Sequence, residues 1–425
     1  MVRGRFVDAD QVTMKPVISI SAQIFPHLLQ YCQSQALTHI ALVADQHTYA
    51  ALGKQIAEQG KQCGLDVQCI VFSADPVQAD EFHLVQILIR SDRAPRAYLA
   101  VGSGTLTDLV RLVCLTRNLP FISIPTAPSV DAFTSTGAAL TLGRSKQTVP
   151  AIAPQAIFAD LPTLCAAPRP MIAAGFADLL GKFTALADWQ LGHFVWGERY
   201  DAPIAARASA ALRACLAQTD AIARASAEGV QGLIAALFES GQCIADFGSS
   251  ESASGSEHHL SHYWEMKLLW ENRQPLLHGA KVGVAAILIA ERYAKLHQLT
   301  YAEVCARLDS VAWARAAMLA QIRAGYGASA EAIVAGHAPF LDLDADNLGR
   351  VKQRVRANWD RIQAIAATVP TPADLARYLR QIEAPTTPQE LGLTKHDVTA
   401  ALTYADYLRN RFTILKLNRL LGIEP

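Results

Sequence analysis

Four histidines lie close together in the second half of the chain: His258, His259 and His262 within HHLSHYW, and His278 in LLHGAKVGVA, twenty residues after His258. Neutral imidazole is the commonest protein ligand for metals, so such a cluster points to a bound divalent ion. On a helix His258 and His262 share one face at spacing i, i+4, whereas His259 points elsewhere. Asp178, in GFADLLGKFTALADW, places a carboxylate in an otherwise apolar helical stretch. An unpaired carboxylate buried there is costly, and a cation would relieve the cost. The competing reading of the histidines is a helix start whose polar groups are satisfied locally beside Trp264.

A second constellation suits a nucleotide. The apolar run Tyr98 to Val101 ends at Gly102, Ser103 and Gly104, after which Leu106, Leu109, Val110, Val113 and Cys114 recur at helical spacing. Glycines let a backbone approach a pyrophosphate, and a helix opening at Thr105 would aim free N–H groups and its positive dipole end at that charge. Gly-Ser-Gly turns also join strands to helices for steric reasons alone. Asp45, at the end of HIALVA, is placed to accept from a ribose 2′-hydroxyl and to repel a 2′-phosphate, which favours NAD over NADP; the alternative is a helix cap.

These residues need elements to hold them. From Thr38 to Pro125, β-rich runs (His39 to Ala44, Cys69 to Ser73, Tyr98 to Val101, FISIP) alternate with helical patterns through Ala51 to Lys61, after Asp80 and after Gly104. That alternation predicts a parallel α/β sheet. Beyond Leu161 alanine is frequent, strand signals fade, and the chain reads as all-helical, with Pro162, Pro168 and Pro170 between the two regimes. The expectation is a Rossmann-like α/β domain over 1–165, an all-α domain over 166–425, and a site in the cleft between them.

The 425 residues are 51% hydrophobic and 18% charged, with 38 basic and 38 acidic side chains. Without a basic excess, nucleic acid is not expected as a partner, and a small molecule is favoured. Eight scattered cysteines form no CxxC pair and read as reduced thiols. No secretory leader and no run of membrane-span length are recognised, which predicts a cytoplasmic protein.

GSGTLTD, TAPSVDAF, AAGFADLLGK, SGSEHHLSHYWEM, LHGAKVG and RNRFTIL, in that order, resemble the sn-glycerol-1-phosphate dehydrogenases, most closely their AraM-like bacterial branch. These belong to the superfamily of dehydroquinate synthase-like enzymes and iron-containing alcohol dehydrogenases. The resemblance runs over nearly the whole chain. It implies a divalent ion (zinc, nickel or iron) on Asp178, His258 and His278, with Asp178 also facing substrate. It implies substrate contact and proton handling at His262 and substrate contact at Asp131. It assigns Gly102, Ser103, Gly104, Thr105 and Leu106 to the pyrophosphate turn, Thr126, Ala127, Pro128 and Ser129 to the nicotinamide-side loop, and Ser135 to a further polar contact. His259 matches no functional position and reads as a surface or packing residue, and His193 and His337 as incidental.

The implied reaction is reduction of dihydroxyacetone phosphate by NADH, with NADPH as an alternative, to sn-glycerol 1-phosphate, in a homodimer with apolar surface on its C-terminal helices. Lys182, Lys281, Arg409 and Arg411 are the cations available for the phosphate. The rival readings are a glycerol or other alcohol dehydrogenase, a dehydroquinate synthase-like cyclase, and a non-catalytic nucleotide- or metal-binding regulator of the same fold.

Overall fold

The computed structural model describes residues 15–143, 145–311 and 313–423; the segment 1–14, part of the stretch searched for a leader, lies outside them. Strands β4 (Ala97–Gly102) and β5 (Phe121–Pro125) are buried along their whole length. They read as continuous apolar runs because a parallel sheet is covered on both faces. They sit in the middle of a six-stranded sheet of order β1-β8-β5-β4-β2-β3, formed with β1 (Val17–Ser21), β2 (His39–Asp45), β3 (Asp66–Phe72) and β8 (Ala156–Asp160). Every pairing in it is parallel. One face buries Leu28, Leu42, Leu99, Val101 and Ile122, the other Val43, Tyr98, Leu109, Val113 and Phe121. Each such side chain contributes about 1.5–3 kcal/mol on leaving water.

All strand ends that matter for the site lie on one edge. Asp45 ends β2, Gly102 ends β4, Pro125 ends β5 and Asp160 ends β8. Strand β2 pairs with β3 on one side and β4 on the other, so the order reverses between β2 and β4. A crevice opens where connections leave in opposite directions, and ligands of such sheets bind there.

Several boundaries differ from the sequence expectation. Strand β3 starts at Asp66 rather than Cys69, because it pairs with β2 along its full length, His39 with Asp66 through Asp45 with Phe72. The helix expected from Ala51 starts at Gln46 behind an Asp45 cap and widens into a π turn over Tyr49–Gly53 before Lys54–Gln62. The helix after the glycine turn opens at Gly104, one residue earlier than expected. Strands β1 and β8 and an antiparallel hairpin, β6 (Gly137–Leu142) with β7 (Ser145–Pro150), were not foreseen.

After Asp160 the described chain is helical. The helices Arg169–Leu180, Lys182–Val195, Ala227–Phe247, Ser256–Trp270 and His278–His297 pack around Leu191, Leu237, Leu260, Trp264 and Ile289. Small residues set the closest approaches: a Cβ on Gly279 would stand 1.8 Å from Ala174 O, and one on Gly175 1.8 Å from Pro128 O. The run 169–195 does reach the length and hydropathy of a membrane span, contrary to the sequence reading, but 78% of its most apolar window is buried inside the protein, as in a core helix. Among the described residues the exposed large apolar side chains also fall elsewhere than expected: Val17, Ile18, Phe82, Val85, Leu88 and Ile89 belong to the sheet region, and Leu277 and Tyr301 to the helical one.

Candidate active site

Asp178 is presented from the Arg169–Leu180 helix, His258 from the first turn of the Ser256–Trp270 helix, and His278 from the first residue of the His278–His297 helix. Asp178 Oδ1 stands 3.4 Å from His258 Nε2 and 3.9 Å from His278 Nε2. One donor atom from each of the three lies within 4.8 Å of the others. Donors on a tetrahedral ion at about 2.1 Å are about 3.4 Å apart, so this spacing suits a divalent ion. Two imidazoles and a carboxylate accept zinc, nickel or iron(II) alike. Asp178 is fully buried and His258 nearly so, whereas the His278 side chain is 27% exposed, so the site opens on that side.

The surrounding charges keep the Asp178 carboxylate ionised. Burial pushes Asp178 upward, but Lys182 and the two imidazoles outweigh it and hold the carboxyl well below the usual range. Burial likewise works against a charged His258, yet hydrogen bonds to Asp178 and Glu257 raise it above the ordinary histidine value. Glu257 Oε1 lies 2.7 Å from His258 Nδ1. With Nδ1–H donated there, Nε2 keeps its lone pair for an ion, the arrangement that orients ligating histidines in general. Glu257 is itself held by Thr184 Oγ1 at 2.6 Å and the Gly255 N–H at 2.7 Å.

Asp131 joins the same cluster. Its backbone N–H donates to Asp178 Oδ2 at 3.0 Å, and its Oδ2 accepts from Ser240 Oγ at 2.8 Å and pairs with Lys182 Nζ at 2.8 Å. Lys182, with no exposed side chain, also donates to Ala253 O at 2.9 Å and stands 3.5 Å from Asp178 Oδ1. Burial would lower it, but the two aspartates keep it charged and above the ordinary lysine range. Its ammonium is therefore spent on carboxylates.

His262 faces the cluster from the next helical turn, its ring centre 5.5 Å from that of His278 and 6.1 Å from that of His258. Its Nδ1 is 3.5 Å from Glu265 Oε2. Burial pushes the imidazole down to about 4, with Glu265 opposing, so it is neutral near neutrality. Glu265 is clamped by Lys146 at 2.9 Å and Lys281 at 3.1 Å. His259, expected on the surface or in packing, is fully buried, and neither ring nitrogen has a partner. His193 and His337 stack on Tyr200 and Phe340.

The loops at the sheet edge meet this cluster. Ser103 begins the Gly104–Arg117 helix without a side-chain cap, which leaves that helix start available to an anion. A Cβ on Gly102 would come 2.3 Å from Leu106 Cδ1, and one on Gly104 2.9 Å from Val130 Cγ2, so a side chain at either position would have to displace Leu106 or Val130. Leu106 is core, so only its backbone is available; Thr105 is half-buried on the first turn. Thr126, Ala127, Pro128 and Ser129 leave β5 beside this turn, Thr126 N–H donating to Gly102 O at 3.2 Å. Asp45 Oδ1 accepts from Thr48 N–H at 2.8 Å, so the carboxylate is a helix cap with a second oxygen to spare. Ser135 Oγ accepts from Arg111 at 2.8 Å, which ties it to the 131–137 loop.

Sequence reasoning missed Glu257, Lys182 as the partner of both aspartates, Ser240, Glu265 and Arg111. Three carried a signal: Glu257 adjoins His258, Lys182 follows Asp178 by one helical turn, and Glu265 follows His262 by three residues. Ser240 reaches Asp131 across 109 residues and had none.

A family model described as iron-containing alcohol dehydrogenase matches residues 19–168. Glycerol-1-phosphate dehydrogenase (NAD(P)+) of Geobacillus thermodenitrificans is 35% identical over 405 residues, covering 94% of this chain and 91% of that protein. The protein of the same name from Bacillus subtilis is 41% identical over 304 residues, covering 70% and 77%. Among solved structures, glycerol dehydrogenase from Schizosaccharomyces pombe has a TM-score of 0.60 at 17% identity, covering 97% of this chain and 90% of that one. An iron-containing alcohol dehydrogenase from Corynebacterium glutamicum has 0.59 at 15%, covering 96% and 94%. At such identities the structures speak to the fold alone.

Proposed function

We propose a reaction from one premise: this chain belongs to the glycerol-1-phosphate dehydrogenase family. It is a metal-dependent, NAD(P)-linked oxidoreductase that interconverts dihydroxyacetone phosphate and sn-glycerol 1-phosphate. The observation that carries this reading is the convergence of Asp178, His258 and His278 beside the glycine turn and the 126–131 loop. When bound, the nicotinamide supplies the hydride and the divalent ion supplies electrophilic help to the carbonyl.

The chain's own residues do the rest. Asp178, His258 and His278 hold the ion, and Glu257 fixes the tautomer of His258. Lys182 pairs with Asp131 and Asp178 side by side, while the Asp131 N–H pins Asp178 Oδ2 and turns Oδ1 to the histidines. Asp131 Oδ1 is left to orient a substrate hydroxyl. In the oxidising direction His262 Nε2 accepts the hydroxyl proton, with the Glu265 carboxylate 3.5 Å from Nδ1; in the reducing direction it returns that proton. Gly102, Ser103, Gly104 and the N–H groups of Thr105 and Leu106 cradle the pyrophosphate, Thr126 to Ser129 flank the nicotinamide, and Asp45 selects NADH through its free oxygen. Ser135, held by Arg111, offers the cofactor a further polar contact.

In this reading 1–165 is the nucleotide domain, 166–425 carries the ion, and the enzyme is a cytoplasmic homodimer. The test is NADH oxidation with dihydroxyacetone phosphate, on protein stripped of metal and refilled in turn with zinc, nickel and iron(II), with stereochemical analysis of the product. Metal-dependent formation of sn-glycerol 1-phosphate is expected. No oxidation with any ion would move the substrate to another ketone, aldehyde or polyol.

A further inference from the structure

The reaction above needs a partner for the substrate's phosphate, and charge bookkeeping around His262 identifies one. Four cations were available from sequence. Lys182 is neutralised by Asp131 and Asp178. Arg411 pairs with Glu251 at 3.3 Å and donates to Ser254 O and Ser250 Oγ, so it holds the 250–254 loop. Lys281 shares Glu265 with Lys146.

Arg409 differs from all of these. Among the described residues no carboxylate lies within salt-bridge distance of its guanidinium, and its one side-chain partner is the neutral hydroxyl Thr148 Oγ1 at 3.1 Å. It is half-buried, and its charge is felt at both His259 and His262. Burial and the neighbouring Arg411 push it down to about 10, still a cation near neutrality. Thr148 lies two residues after Lys146 on β7, so both project from one face of the hairpin. Lys146 contacts Glu265, and Glu265 contacts His262. The hairpin face that carries Thr148 and Lys146 therefore lies between Arg409 and the Glu265–His262 pair. These side chains sum to two uncompensated positive charges: one on Arg409, and one left when Lys146 and Lys281 share a single carboxylate. A phosphate monoester near neutrality carries close to two negative charges.

We propose that Arg409, Lys146 and Thr148 form the subsite for the phosphate monoester of the substrate, at the mouth of the histidine cluster. The proposal deepens the reaction assigned above and rests on it for the identity of the ligand. It makes the β6–β7 hairpin a specificity element, since it brings Lys146 and Thr148 to the helical half of the molecule.

The test uses the ion-loaded protein and inorganic phosphate as the probe, by calorimetric titration without nucleotide. Wild type should bind phosphate, and Arg409→Ala should bind it at least tenfold more weakly, with Arg409→Lys in between. Arg409→Ala should also raise KM for dihydroxyacetone phosphate at least tenfold, and should lower kcat/KM for dihydroxyacetone phosphate by a larger factor than for unphosphorylated dihydroxyacetone. Unchanged melting temperatures would show that the variants are folded. Phosphate binding equal in wild type and Arg409→Ala, or absent from both, overturns the subsite. Binding lost only in Arg409→Ala, by a protein that does not reduce dihydroxyacetone phosphate, would keep the subsite and overturn the reaction.

Discussion

The two oxygens of Asp178 have different tasks. Oδ2 accepts the Asp131 N–H, and Oδ1 is left between Lys182 and the two imidazoles. That division follows from a buried carboxylate needing every lone pair occupied, and it converts a costly burial into a cation site. Asp45 divides its oxygens in the same way, one in the cap on Thr48 and one free at the β2 end. Asp45→Gly should lower the kcat/KM preference for NADH over NADPH by about tenfold, since the repulsion of a 2′-phosphate goes with the carboxylate. The cap would be weakened as well, by only about a few tenths of a kcal/mol, because glycine is tolerated at a helix N-cap. If melting falls while the coenzyme ratio stays put, Asp45 is a cap and nothing more.

Among the elements, the 126–131 loop and the Arg169–Leu180 helix depend on each other. Gly175 sits one turn before Asp178, under Pro128 O, where a side chain has no room. Gly175→Ala must therefore lift the loop that carries Asp131 away from Asp178. We expect about 1–3 kcal/mol of destabilisation and a tenfold or greater loss of metal affinity, read by thermal melting and metal titration. Wild-type affinity in a stably folded Gly175→Ala protein would show that the loop does not support the ion site. Arg111 secures the other end of the loop, donating to Ala132 O, Phe133 O, Ser135 Oγ and Gly137 O from a fully buried position. Nothing in the sequence marks Arg111, because an arginine on a helix after a glycine turn reads as a solvated face until the loop that covers it is known.

For the whole molecule, legibility followed the range of the interactions. The central strands β2, β4 and β5 were readable because each is a complete apolar run between turn signals. Strands β1 and β8 were not, since each is five residues long and β1 is a strand only through its pairing with β8, more than 130 residues away. The proposed metal ligands were legible through a family resemblance and through His–Asp chemistry. The residues that hold those ligands come from opposite halves of the chain: Asp131 follows the sheet, while Lys182, Ser240 and Glu257 belong to the helices. The cleft is where a parallel sheet's strand ends face a helical bundle, and the fold places both sets of loops there.

The most direct test of this account is the metal content of His258→Ala and His262→Ala, measured by elemental analysis alongside turnover. His258→Ala should lose ion and turnover together, whereas His262→Ala should keep a full equivalent of ion and lose turnover by about a hundredfold or more. Full occupancy in His258→Ala, or loss of the ion from His262→Ala, would contradict the assignment of ligands and proton carrier.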